Sequence, residues 1–144
     1  KALIYKNDCV EWAQGVDNYY GTSKKAIETQ LEAGIDVFLD IDWQGAQQIR
    51  NLVDDVETIF ILPPSKEELE SRLNNRGQDS AEVIAGRMAK AQSETSHYNE
   101  YDYVVVNYDF YTALAEIETI VKAKRLSLKS QTIRHQELLN ALLK

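Results

Sequence analysis

The chain has 144 residues, 44% hydrophobic and 27% charged, enough for one sizeable core and too few for a second domain of ordinary size. A formal net charge of -7 and a pI near 4.8 oppose broad binding to nucleic acid or to an anionic membrane, since either partner selects a cationic face. No apolar run approaches the roughly 20 residues of a membrane span, no repeat or low-complexity stretch occurs, and the lone Cys9 precludes an internal disulfide. A soluble chain in the reducing cytoplasm is the expectation. The first residue is Lys1 and the sole methionine is Met88, which reads as a processed, truncated or partly recorded chain.

From Leu3 to Tyr20 short apolar and polar runs mix without a sustained period, a pattern shared by strands and irregular structure. Ser23 is a capping residue, and Ala26, Ile27, Leu31 and Ala33 recur at helical spacing until Gly34 ends the segment. Val37-Phe38-Leu39 reads as a buried parallel strand delivering Asp40 and Asp42 at its carboxyl end. A short helix is predicted over Trp43 to Leu52, and a second buried strand over Thr58 to Leu62, closed by Pro63-Pro64. Ser65 with Glu68 forms a capping box for a helix to Asn75, and Asp79 with Glu82 opens another to Ser96. Val104-Val105-Val106 is the third strand, followed by amphipathic helices from Phe110 to Leu126 and from Gln131 to Leu143. The alternation predicts an α/β fold with a parallel sheet.

Ligands in an open parallel sheet bind beyond the carboxyl ends of the strands, where Asp40 and Asp42 fall. Two residues apart on a strand, they share a face and suit a hydrated Mg²⁺ or a donor group of a substrate. The alternative is that Asp42 caps the following helix and Asp40 is solvated. Arg72 and Arg76 lie one helical turn apart, with Arg87 on the next helix. Three guanidinium groups brought together would grip a transferring phosphoryl group, whereas Glu68, four residues before Arg72, offers an ordinary surface pair. Glu11 and the hydroxyl-rich Tyr19-Tyr20-Gly21-Thr22 are weaker signals. A carboxylate does match guanine, whose N1–H and N2–H₂ donors are adjacent, and it mismatches adenine, which carries an acceptor at N1. His97 and His135 show no metal-site spacing and are assigned no chemistry, and no G-x-S-x-G elbow occurs.

Across nearly its whole length the chain resembles guanylate kinase. The segments that carry the resemblance are Glu11-Trp12-Ala13, Asn18-Tyr19-Tyr20-Gly21-Thr22, Leu39-Asp40-Ile41-Asp42-Trp43-Gln44-Gly45, Ile61-Leu62-Pro63-Pro64-Ser65, Arg72 with Arg76-Gly77, Arg87 and Val106-Asn107, in the family's order. The resemblance implies the P-loop NTPase fold of nucleoside monophosphate kinases: a parallel-sheet core flanked by helices, a helical lid and a remnant of the GMP-binding region. On that reading residues 1–22 are the GMP-binding remnant, 23–64 the core, 65–97 the lid, and 98–144 core and C-terminal helices of a single domain. The implied reaction is ATP + GMP = ADP + GDP, with Mg²⁺ accompanying ATP. Glu11 matches the family's guanine-reading carboxylate, Tyr20 the hydroxyl donor to the GMP phosphate, and Thr22 the hydroxyl that contacts the base. Asp40 and Asp42 match the paired aspartates at the GMP side, reaching metal only through water. Arg76 and Arg87 match the catalytic lid arginines, while Arg72 and Asn107 match positions on the ATP side.

Two departures accompany the match. No G-x-x-x-x-G-K-[ST] occurs, so the loop that holds the ATP phosphates is expected to be missing by N-terminal truncation and the chain by itself to be inactive. Asp17 stands where the family usually has glycine before Asn-Tyr-Tyr-Gly. The competing expectation is a non-catalytic guanylate-kinase-like module that binds phosphorylated partners, against which the retained arginines and aspartates argue. The last helix, with Leu138, Leu139, Leu142 and Leu143, is expected to pack on its own core or on another subunit of a homo-oligomer.

Overall fold

The computed structural model describes the backbone of residues 9–14, 19–75 and 79–144, and the side chains of residues 24–74 and 79–144. The chain divides into two compact units, Lys1–Thr58 with Ala89–Tyr103 and Ile59–Met88 with Val104–Lys144.

Among the described residues the first unit opens with an antiparallel ribbon of β1 (Cys9–Gln14) and β2 (Tyr19–Ser23), so the described part of the ambiguous stretch from Leu3 to Tyr20 is strand and the rest lies outside the described residues. Helix α1 (Lys24–Glu32) follows directly. It ends where expected, at Gly34, whose φ of 77° is left-handed backbone that a side chain disfavours. The Gly34 N–H reaches the Leu31 carbonyl at 3.0 Å and the Ile35 N–H reaches the Gln30 carbonyl at 3.0 Å, the paired bonds of a Schellman stop.

The strand predicted at Val37-Phe38-Leu39 is a correction. Residues 35–42 join no ladder among the described residues, and Phe38 is 67% exposed. Three apolar residues in a row supply strand propensity, but a strand exists only through a hydrogen-bonded neighbour, and none of the described strands provides one.

Helix α2 (Trp43–Leu52) has the predicted bounds. Its buried stripe is Gly45, Ala46 and Ile49, and the two small residues allow its backbone to lie close against β1. At the end of the unit's first segment, Thr58 and Asp102 clasp one another. The Asp102 carboxylate accepts from the Thr58 N–H at 2.8 Å and from its hydroxyl at 2.9 Å, and the Thr58 hydroxyl accepts from the Asp102 N–H at 3.1 Å.

In the second unit, β3 (Ile59–Leu62) pairs with β4 (Tyr103–Val106). The Tyr103 N–H donates to the Thr58 carbonyl before the strands, and the Asn107 N–H to the Leu62 carbonyl after them. Partners advance together in sequence, so the pair is parallel, as expected of an α/β core. Phe60, Val105 and Ala113 are the buried apolar residues here. Helix α3 (Lys66–Asn75) starts as predicted, with the Ser65 hydroxyl accepting from the Glu68 N–H at 3.0 Å. Helix α4 (Ala81–Thr95) starts one residue later than the predicted box: Ser80, not Asp79, accepts from the Val83 N–H, because Asp79 is held by Arg87. A 3-10 turn (Tyr98–Glu100) precedes β4.

Asp109 caps α5 (Phe110–Arg125) by accepting from the Thr112 N–H. The single closing helix predicted from Gln131 is instead α6 (Leu128–Arg134) and α7 (Gln136–Leu143), divided at His135. The Ser127 hydroxyl starts α6 early by accepting from the Ser130 N–H, a cap that outweighs the leucine periodicity further on. Among the described residues no helix is long and apolar enough to cross a membrane.

Candidate functional site

The backbone of the ribbon relates three of the positions that the sequence singles out. Its register pairs Glu11 with Thr22 and Ala13 with Tyr20. Directly opposed residues share a face, and so do residues two apart on one strand. Positions 11, 20 and 22 therefore lie on one face of the β1–β2 ribbon, although eight or more residues separate Glu11 from the other two in sequence.

Asp42 sits in extended backbone (φ -80°, ψ -179°) immediately before α2. One carboxylate oxygen accepts from the Gly45 N–H at 3.0 Å, and its carbonyl accepts from the Ala46 N–H at 2.9 Å. The capping alternative is thus realised, and the cap fixes the orientation of the side chain while engaging one oxygen. Asp40 is exposed two residues earlier.

The turn is held from a second direction. Glu94, in the last turn of α4, accepts the Trp43 N–H at 3.3 Å across 51 residues of sequence. The Trp43 indole stacks on the His97 ring with centroids 3.7 Å apart and planes 7° from parallel. Further along the same stripe of α2, Gln47 donates to Glu100, which also meets His97 Nδ1, and Arg50 lies 5.2 Å over the Tyr101 ring. Burial pushes the Glu94 carboxyl above its ordinary range; the Trp43 N–H pulls it back, and the like charge of Asp42 adds to the rise. Glu100 is lowered, first by the Gln47 hydrogen bond and then, against some desolvation, by His97.

In the second unit, Arg72 satisfies both readings of its position. Its Nε donates to Glu68 at 3.1 Å, the expected pair along the helix, and its Nη2 donates to the Asn107 carbonyl at 3.0 Å. Two residues expected on one side of a nucleotide are thereby brought together, with the Asn107 N–H fixed by Leu62 at the end of β3. Arg87 is paired with Asp79 at 2.6 Å, both partly exposed. Arg76 lies outside the described residues. Arg72 and Arg87 are each paired with a carboxylate of their own, Glu68 and Asp79.

Glu94 and His97 were not found by sequence reasoning, which gave His97 no chemistry. Nothing in spacing links α4 to a turn 51 residues earlier; only the three-residue separation of Glu94 and His97 along the chain could have marked them as a pair.

The sequence model of the family described as "Guanylate kinase" matches residues 1–124. The chain is 76% identical over all 144 residues to a guanylate kinase of Pseudoalteromonas translucida, covering 70% of that protein. It is 59% identical over 143 residues to one of Vibrio parahaemolyticus, covering 99% of this chain and 69% of the relative. A crystal structure of guanylate kinase from Anaplasma phagocytophilum superposes with a TM-score of 0.74 at 30% identity, over 92% of this chain and 68% of that one. Identity of this extent over the whole chain, together with the family model over residues 1–124, leaves one conclusion: the chain belongs to the guanylate kinase family.

Proposed function

We propose that the protein transfers the γ-phosphoryl group of MgATP to GMP, giving ADP and GDP. The observation that carries the acceptor half is the ribbon register, which puts Glu11, Tyr20 and Thr22 on one face. Glu11 reads the adjacent N1–H and N2–H₂ donors of guanine, Thr22 contacts the base beside it, and Tyr20 donates to the GMP phosphate. Asp40 and Asp42 stand at the phosphate end, where Mg²⁺ arrives with ATP and meets them through water. The cap on Asp42 fits that role, because it fixes the direction of the carboxylate. Arg72, tied to Asn107, serves the ATP side. Arg76 and Arg87, on the lid over residues 65–97, neutralise the charge spread over the transferring group.

The 144 residues contain no G-x-x-x-x-G-K-[ST] segment, and phosphoryl transfer depends on positioning and charge neutralisation. By themselves they therefore do not support transfer. The enzyme acts as a soluble protein of the cytoplasm on the nucleotides alone.

The test is a coupled assay of ADP release from GMP and MgATP. It compares a full-length guanylate kinase carrying these residues, residues 1–144 alone, and the full-length protein with Glu11→Ala. Two hydrogen bonds to a charged acceptor are each worth about 1.5–3 kcal/mol, so Glu11→Ala lowers kcat/KM for GMP by roughly 10²- to 10⁴-fold. A full-length protein that binds GMP or a phosphopeptide yet releases no ADP would replace the kinase with the non-catalytic binding module.

A further inference from the structure

Helix α2 begins at a turn that carries Asp42, and the first N–H groups of any helix have no partner within it. Asp42 itself accepts from the Gly45 N–H. The Trp43 N–H, one residue past the carboxylate, would ordinarily be left to water. Here it is taken by the Glu94 side chain, which is half-buried and lies beside the like charge of Asp42. Desolvating one carboxylate next to another opposes folding, so a plain structural seam would be better served by a neutral acceptor or by solvent. What this arrangement does achieve is a second fixed point on the peptide that follows Asp42, reinforced by the parallel stack of His97 on the Trp43 ring.

We propose that Glu94 is a positioning residue for phosphoryl transfer: by accepting the Trp43 N–H it fixes the Asp42–Trp43 turn, and thereby the direction of the Asp42 carboxylate, with His97 holding the same residue by its ring. The inference rests on the reading of Asp42 as a group at the phosphate end of GMP. Glu94 itself touches no substrate; it acts through the peptide of Trp43. The cap bond to Gly45 constrains Asp42 from within α2, and the Glu94 bond constrains it from α4. With both in place the carboxylate cannot swing with the preceding segment 35–41, which joins no ladder among the described residues.

The expected consequence is on kcat rather than on binding. A shift of about 1 Å in a catalytic group costs roughly 100-fold in rate. In a full-length guanylate kinase carrying these residues, Glu94→Ala lowers kcat about 10- to 100-fold, with KM for GMP moving by no more than about threefold, since the base-reading ribbon is untouched. Glu94→Gln keeps an acceptor oxygen and restores most of kcat. Gln47→Ala, which opens the same seam one turn further along α2 without touching the turn, stays within about twofold of the parent. The independent readout is amide exchange at Trp43 measured by NMR: faster in Glu94→Ala, near the parent rate in Glu94→Gln.

Faster Trp43 exchange with kcat unchanged would overturn the proposal, since the bond would then serve the fold alone. A loss of kcat that Glu94→Gln fails to restore would also overturn it, by showing that charge and not the hydrogen bond matters. A loss in Gln47→Ala equal to that in Glu94→Ala would do so too, by reducing the effect to general packing. Asp42→Asn, run beside them, isolates the underlying reading: if it leaves kcat intact while Glu94→Ala lowers it, the role given to Asp42 fails and Glu94 must act on another group.

Discussion

Replacing Thr58 by valine keeps the shape of the side chain and removes only its hydroxyl. That hydroxyl donates to the Asp102 carboxylate at 2.9 Å and accepts from the Asp102 N–H at 3.1 Å. Thr58 is 8% exposed, so water does not replace the lost partner. The damage is bounded on both sides. Asp102 keeps the Thr58 N–H at 2.8 Å, and its own N–H keeps the Thr58 carbonyl at 3.1 Å. What disappears is one hydrogen bond to an ionised acceptor and one arm of a shared bond, for a net cost of about 1.5–3 kcal/mol. At roughly 2–4 °C per kcal/mol for a domain of this size, Tm falls by about 3–12 °C. Urea unfolding is the assay, with the midpoint moving and the m value constant. A double-mutant cycle with Asp102→Ala then isolates the pair and yields a coupling of at least about 1 kcal/mol. A Thr58→Val cost below about 0.5 kcal/mol, or strict additivity in the cycle, would refute the clasp as a source of stability.

Asp42→Asn separates capping from chemistry, because asparagine caps a helix as well as aspartate does: Tm stays within about 2 °C while kcat falls at least tenfold, and an unchanged kcat would leave Asp42 a cap alone. Arg72→Lys keeps the charge but cannot hold both Glu68 and the Asn107 carbonyl with one planar fork; KM for ATP rises several-fold while KM for GMP does not move, as initial-rate kinetics will show. The two perturbed carboxylates of the α2 seam give opposite pH slopes. Glu94 is raised above 4.5, so the folded state binds its proton more tightly than the unfolded chain does. Its contribution to stability therefore declines as pH rises from 4.5 through its folded value, and Glu94→Gln removes that decline. Glu100 is lowered below 4.5; its contribution is present above 4.5 and is lost as pH falls through the folded value, and Glu100→Gln removes that loss. Thermal melts of the parent and both variants from pH 3 to 8 check both signs.

Local signals in the sequence were reliable where structure is decided locally. Gly34 ended α1 because its left-handed backbone is one that L side chains disfavour, and Ser65 began α3 because a hydroxyl three residues before a free N–H is a sufficient cap. The two valine- and isoleucine-rich strands that found each other, β3 and β4, were legible for the same reason. Val37-Phe38-Leu39 is also an apolar run but has no strand partner among the described residues, which no window of sequence reveals. The division of the last helix at His135 was hidden behind continuous leucine periodicity. For the candidate site, motif order singled out Glu11, Tyr20 and Thr22, which the ribbon register sets on one face, and Arg72 and Asn107, which meet through a hydrogen bond. Glu94 was out of reach, since its partner is a backbone N–H that any residue but proline at position 43 would present.

The stop at Gly34 has a consequence for chirality. A Cβ built there would meet no heavy atom within 4 Å, so the position rejects L-residues through backbone preference alone and not through crowding. L-alanine would pay for the left-handed φ of 77° with about 1–2 kcal/mol. Its mirror image prefers that same φ. A semisynthetic protein with D-alanine at position 34 should therefore be more stable than the natural one, by the roughly 0.4–1 kcal/mol that restricting the unfolded chain confers.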